Sequence, residues 1–363
     1  MLLTLHLNNV GVFIMIDFSQ ARLLKLSITW SGNKELNEGV VVPASTLVTV
    51  NDYVHEVLIN SFMKSFDKSE AFYCFSHPED VSHNEVYQSC VQIFEKPESL
   101  VEQAKLLTQR MYNHSVIPKI KGGEFFVALL DEIGFGDAKM PAIGIFKVVQ
   151  KEPFLRVEKH SDTYILGVMD GIQTSKLTMA ALILGADEAE GYRILSVDHL
   201  KKKDEPSVWQ DQFLQITPIQ DDYYHTRHFM EMTNDFINQK AAAKFQLDTP
   251  SRVDLLNKSS YYFKENDSFE INDFAATLFE DPEQQEVYKA YKTEYSEYGG
   301  VPLEDQFDIN RQAARKTGRV FKSVIKLDSN FSLYVHGRRD LIEKGFDEEK
   351  GKPYYKLYFD REE

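Results

Sequence analysis

The stretch GEFFVALLDEIGFGDAKMPAIGIFKVV, residues 123–149, decides how this chain is read. It holds two apolar runs, Phe125–Leu130 and Ile143–Val149, parted by a turn around Gly134 and Gly136. Short apolar runs bounded by glycine predict strands. The pattern recurs at Phe154–Val157, Tyr164–Val168, Leu177–Leu184 and Tyr192–Val197, with Gly171 in a further turn. Closely spaced strands with no helix between them predict an antiparallel sheet, because parallel strands need long crossovers.

Working outward, Leu24, Leu26, Ile28 and Trp30 alternate with polar residues and predict another strand. Phe72–Phe75 is a short aromatic strand. Helical spacing appears over 52–64, 84–94 and 98–112, with Pro97 placed to start the last of these. Residues 15–247 are therefore expected to form an α+β domain, helices packed on a sheet. Beyond the charged loop Lys201–Glu205 the spacing is helical over 207–214, 222–240, 250–264, 270–280 and 283–296. A soft boundary near 247 opens a second domain, 248–363. A short helix, Ile309–Lys316, then leads into a hairpin, Val320–Leu327 and Phe331–His336, turning at Asp328-Ser329-Asn330. A final strand is expected at Tyr354–Phe359. The fold class is α+β: an N-terminal antiparallel sheet with packed helices, then a helical region ending in a winged-helix-like helix plus hairpin module.

The chain has 363 residues, 43% hydrophobic and 12% aromatic. That composition predicts packed cores and excludes a disordered chain. No run of about 18 apolar residues is present, so no membrane span is expected. Lys plus Arg number 41 against 56 Asp plus Glu, a net charge of −15. Bulk charge cannot hold such a chain to DNA; phosphate contact requires a local basic patch. Two cysteines, Cys74 and Cys90, make neither a disulfide framework nor a cysteine zinc site. The apolar segment before Met15 carries no Lys or Arg and no cleavage pattern. Residues 1–14 are read as an over-long start or disordered leader, with Met15 as the working start. A reducing cytosol is the expected setting.

Catalytic constellations are few. Gly171–Lys176 lacks the second glycine of a phosphate cradle, and Gly134-Phe135-Gly136 is too short for a dinucleotide fingerprint. No Gly-x-Ser-x-Gly elbow occurs. Neither cysteine has a basic neighbour to activate it. The densest set of ligand types is Asp221-Asp222-Tyr223-Tyr224-His225-Thr226-Arg227-His228. On a helix, Asp221 or Asp222 and His225 share a face and could hold a metal. An acidic helix N-cap accounts for the same residues. His77 and His83 flank Pro78 in what reads as a solvated loop.

Charge is distributed unevenly. Tyr261–Asn310 carries 13 acids and 3 bases, whereas Arg311–Gly345 carries 9 bases and 3 acids. The basic segment supplies the candidate nucleic-acid contacts: Arg311, Arg315 and Lys316 on the short helix, Arg319, Lys322 and Lys326 on the hairpin, and Arg338 and Arg339 after it. A helix entering a groove with hairpin bases on phosphates would use them. Two plainer accounts compete: lysines blunting an edge strand, and a +6 surface that neutralises the −10 surface before it.

Several segments together carry a family resemblance. They are HSVIPKIKGGEFF (114–126), AIGIFK (142–147), WQDQFL (209–214), DYYHT (222–226), DLLNK (254–258), FKEND (263–267) and VFKSVIKLD (320–328). From about Met15 to the C-terminus the chain resembles the bacterial nucleoid-associated NdpA (YejK-like) family in its Bacteroidetes form. The resemblance implies a non-catalytic protein of the cytoplasm and nucleoid that binds DNA, with no cofactor; the lack of a complete ligand set leads to the expectation of no metal. Contact would be direct and of low sequence specificity, or made through a chromosome-bound protein such as a topoisomerase. An adaptor recruited to DNA indirectly, in chromosome processing or phage defence, is the alternative. A metal-dependent enzyme using Asp221, Asp222 and His225 is the third. A homo-oligomer is left open.

Overall fold

The computed structural model describes residues 16–43, 50–67, 69, 71–149, 151–172, 177–202, 205–321, 324–327, 330–335 and 341–361. Residues 1–14 and Met15, on which the expected start rests, lie outside them. The chain forms two compact units, Met1–Ile219 and Gln220–Glu363. Leu247 falls within the second.

The first unit is built on strands β1 (Ile16–Asp17), β2 (Arg22–Ser31) and β3 (Val40–Val41), helix α1 (Asp52–Lys64), β4 (Tyr73–Phe75), α2 (Glu85–Glu95), α3 (Leu100–His114), β5 (Gly123–Phe135), β6 (Ala138–Val148), β7 (Lys151–His160), β8 (Thr163–Ile172), β9 (Met179–Leu184), β10 (Arg193–Asp198) and β11 (Ile216–Pro218). Nine of these make one sheet in the order β11-β4-β10-β9-β6-β5-β2-β3, with β1 also on β5. Its pairs are all antiparallel, as the strand spacing predicts.

Alternation along β5 makes two cores. Phe125, Val127 and Leu129 face α2, α3 and a π-helical segment, Val208–Leu214. Phe126, Ala128 and Leu130 face α1, where Phe62 stacks on Phe146 at 4.0 Å. With both faces covered, β5, β6 and β9 read as continuous apolar runs. Asn84 caps α2 by accepting from Val86 and Tyr87, and Asn51 caps α1 through Val54.

One expectation fails here. The runs at 154–157 and 164–168 do not join the sheet, because β6 pairs directly with β9. Instead, among the described residues, β7 and β8 pair only with each other, as an exposed arm. The reason is charge. Glu152, Arg156 and Glu158 share one face of β7, and a sheet covered on both sides would have to bury them.

The second unit contains α4 (Asp222–Asp235), continued by a π-helical turn Phe236–Ala241 and α5 (Ala242–Lys244), then α6 (Thr249–Glu265), β12 (Ser268–Glu270), α7 (Ile271–Leu278), α8 (Pro282–Gly299), β13 (Gln306–Asp308), α9 (Arg311–Thr317), β14 (Val324–Lys326), β15 (Ser332–Tyr334), β16 (Ile342–Asp347) and β17 (Lys352–Leu357). Its core is aromatic: Phe229, Phe263, Phe269, Phe274 and Phe307 pack together between the helices. The expected helices are present, and so is the hairpin, β14 on β15. Two pairings were not anticipated, β12 with β13 and β16 with β17. Their strands are short or charge-rich and carry little alternation.

Candidate nucleic-acid interface

Helix α9 begins where Asn310 accepts from the amides of Gln312 (3.1 Å) and Ala313 (3.0 Å). Its own amide donates to Thr226 Oγ1 on α4 at 2.9 Å. Ala313 and Thr317 are buried, which seats one side of the helix. Arg311, Arg315 and Arg319 recur every four residues on the other side, and all three are exposed. Lys316 is exposed beside them. Gly318–Phe321 forms a 3-10 turn that leads to the hairpin.

Four of the segments that carry the resemblance converge on this module. Thr226 of DYYHT holds its cap. In FKEND, the Lys264 carbonyl accepts from Arg311 and the Asp267 carbonyl accepts from the Ile309 amide at 2.7 Å. In DLLNK, Asn257 donates to the Val335 carbonyl just past β15 at 3.4 Å. VFKSVIKLD runs from the 3-10 turn through β14. Val253 of α6 packs with Ile325 and Val335 beneath the hairpin.

The predicted contact residues fare differently. Arg311 pairs with Asp267 at 2.5 Å, so part of the basic segment is neutralised by the acidic one. Arg315 and Arg319 make no ion pair among the described residues. Lys326 lies on β14. Lys322, Arg338 and Arg339 fall outside the described residues. Sequence reasoning missed two aromatics on the hairpin, Phe331 and Tyr334, both largely exposed. Their place within the basic segment Arg311–Gly345 was the available signal.

The ligand cluster at α4 folds as a cap. Asp221 accepts from the Tyr224 amide at 2.9 Å. His225 is buried against the rings of Tyr224 and Phe307, with Glu304 3.8 Å from its Nε2. Burial pulls its imidazole below the usual range, and it pulls His228 down to about 4. Burial and the nearby Asp308 carboxylate hold Asp222 above the usual carboxylate range. His77, Glu79 and His83 form a second group, their ligand atoms within 4.8 Å of one another. Zinc ligands sit about 3.4 Å apart. Here the Nδ1 of His77 already accepts from the Glu79 amide at 3.3 Å.

In the first unit the resemblance segments do structural work. A Cβ at Gly123 would lie 1.8 Å from the Val148 carbonyl, and one at Gly122 would lie 2.4 Å from the Trp30 ring. Lys147 closes AIGIFK and is buried, its Nζ donating to the Ser31 carbonyl at 2.8 Å. Burial lowers its pKa to about 7, against the opposing pull of Glu38 and Glu124. The carbonyls at the end of WQDQFL accept from Arg110, Phe213 at 2.9 Å and Gln212 at 3.1 Å. A groove between α2 and α3 offers Gln88, Gln92, Gln103 and the Arg110–Glu85 pair, and its one serine hydroxyl, Ser89, donates to the Glu85 carbonyl at 3.0 Å.

Residues 31–352 match a model of nucleoid-associated proteins, a span that takes in most of both units. The family is described as nucleoid-associated protein YejK, and the chain belongs to it. No curated protein matches the chain. Among the described residues no helix is long and apolar enough to cross a membrane.

Proposed function

We propose that this protein binds duplex DNA directly in the bacterial nucleoid, without catalysis, through phosphate contacts from α9 and the hairpin after it. The observation that supports this reading is local. On a chain of net charge −15, Arg315 and Arg319 stand exposed one helical turn apart, with Lys316 between them. Among the described residues no salt bridge consumes these two arginines as Asp267 consumes Arg311. Exposed guanidinium groups reach phosphate oxygens bidentately, and Tyr334 and Phe331 offer apolar contact alongside.

A protein-mediated association is the second reading, and the Arg311–Asp267 pair favours it by shrinking the patch. A titration against duplex DNA at several salt concentrations separates the two. Three to five phosphate contacts give a slope of log K on log salt of roughly −3 to −5. The double reversal Arg315→Glu, Arg319→Glu flattens that slope by about two units and weakens all duplex sequences alike, since phosphate contacts carry no base information. A parent without salt-dependent binding at low ionic strength hands the lead to the adaptor. A double variant that binds as tightly as the parent shows the patch to be the wrong site.

A further inference from the structure

The β7–β8 arm has two unequal faces. Register pairs Leu155 with Val168, Val157 with Leu166, Lys159 with Tyr164 and Pro153 with Asp170. Paired residues share a face, and so do residues two apart. One face therefore carries Leu155, Val157, Tyr164, Leu166 and Val168; the other carries Phe154, Arg156, Glu158, Ile165 and Met169. The second face covers itself. Arg156 pairs with Glu158 and donates to the Met169 sulfur at 3.8 Å, and the Phe154 ring lies over Gly171. Its apolar residues are 43–50% exposed, whereas those of the first face are 61–70% exposed. No residue of that first face belongs to a core of its unit. A contiguous aliphatic surface of this kind marks an interface.

Charge selects the occupant. The aliphatic patch is centred on the Arg156–Gly167 rung. Lys159 lies three residues toward the tip and Asp170 lies on the rung three residues toward the base, about 10 Å either way. A two-fold axis through the centre reverses one arm over the other. The aliphatic rungs then meet, and each Lys159 reaches the opposite Asp170. The face is thus complementary to itself in the antiparallel sense and to a parallel copy in neither charge. Five side chains about two-thirds exposed present on the order of 500 Å² per copy, so pairing buries about 1,000 Å², the lower limit for a specific interface.

We propose that this arm pairs face to face and antiparallel with the arm of a second copy of the chain, making a two-fold homodimer. The inference does not rest on the DNA reading, and its test contains no DNA. Sedimentation equilibrium on the full chain, from about 1 to 100 μM, shows a monomer–dimer equilibrium. Leu166→Glu raises the dimer Kd by roughly a hundredfold or more, because two carboxylates would enter the apolar centre. Lys159→Glu alone and Asp170→Lys alone each raise it about tenfold, since each sets two like-charge pairs across the interface. The combined Lys159→Glu, Asp170→Lys variant restores the parent value. At concentrations well below the parent's Kd, where every species is monomeric, the melting temperature of each variant stays that of the parent, which confirms folding. A parent monomeric at the highest concentration overturns the pairing and leaves the arm to a different partner. An unchanged Kd in Leu166→Glu overturns it too, as does failure of the combined variant to recover.

Discussion

The two units hide their apolar residues by different means. In the first, a strand period of two sorts one run of sequence onto two faces, and each face meets its own helices. Phe146 there has ring contacts with Phe62 and Phe66. In the second, the short β12–β13 ribbon sets Phe269 against Phe307, and around that pair rings organise one another. Phe269 contacts the rings of Phe229, Tyr262, Phe263, Phe274 and Phe307. The first core is specified by pattern and the second by shape. Truncation distinguishes them. Phe146→Ala and Phe269→Ala each lose about 3–5 kcal/mol in urea unfolding. Phe→Leu, which keeps apolar volume but removes the ring, separates the two. Phe269→Leu costs more than Phe146→Leu, because each ring pair adds about 0.5–1.5 kcal/mol beyond area. Equal costs would mean that the second core, too, is only bulk.

That distinction explains what the sequence discloses. Period-two alternation and glycine turns made the sheet and its antiparallel sense readable, and helical spacing, with Pro97 ahead of α3, placed α1, α2, α3 and α6. The arm was misplaced because its apolar residues alternate just as core strands do; only the charges on one face of β7 mark it as unfit for a sheet covered on both sides. The strand Ile342–Asp347 has too many charges to show a period. Lys147 looks like the solvated end of an apolar run, and nothing local reveals that it is buried. The basic segment was readable as a sum of charge. Its pairing was not, since Arg311 meets Asp267 across 44 residues.

The units also bury different bases, and pH reads them separately. Lys147 has a folded pKa of about 7, below its ordinary 10.5. Between those values the unfolded chain binds the extra proton, so stability rises with pH, by at most about 1.4 kcal/mol per unit. The Glu38 side chain remains solvated, so Lys147→Met abolishes this rise without stranding a buried charge. The test is the parent-minus-variant stability from pH 7 to 9. His228, at about 4 against 6.5, acts at the acid end. There the unfolded chain again binds more protons, so stability is lost as pH falls from 6.5 toward 4. His228→Gln flattens that loss while leaving the alkaline limb intact. The raised Asp222 carboxyl works in the opposite direction and offsets part of the acid loss. A Lys147→Met variant that kept the alkaline rise would show the lysine to be solvated, and the first core to be looser than its alternation implies.

The smallest effect concerns the ion pair that joins the acidic and basic segments of the second unit. Asp267 is nearly fully exposed, and its partner Arg311 is partly so. Exposed pairs contribute little to stability, so Asp267→Asn leaves the melting temperature within about 2 °C of the parent. Its consequence lies in the charge of α9. With the carboxylate gone, Arg311 joins Arg315 and Arg319 on the same side of the helix as an unneutralised cation. One further phosphate contact steepens the salt slope on duplex DNA by about 0.9. The change is opposite in sign to the flattening expected of Arg315→Glu, Arg319→Glu, so the two variants bracket the parent. If Asp267→Asn leaves the slope where it was, Arg311 does not face the phosphates. The contact surface then contracts to the 3-10 turn, which carries Arg319, and to the hairpin, which carries the exposed rings of Phe331 and Tyr334.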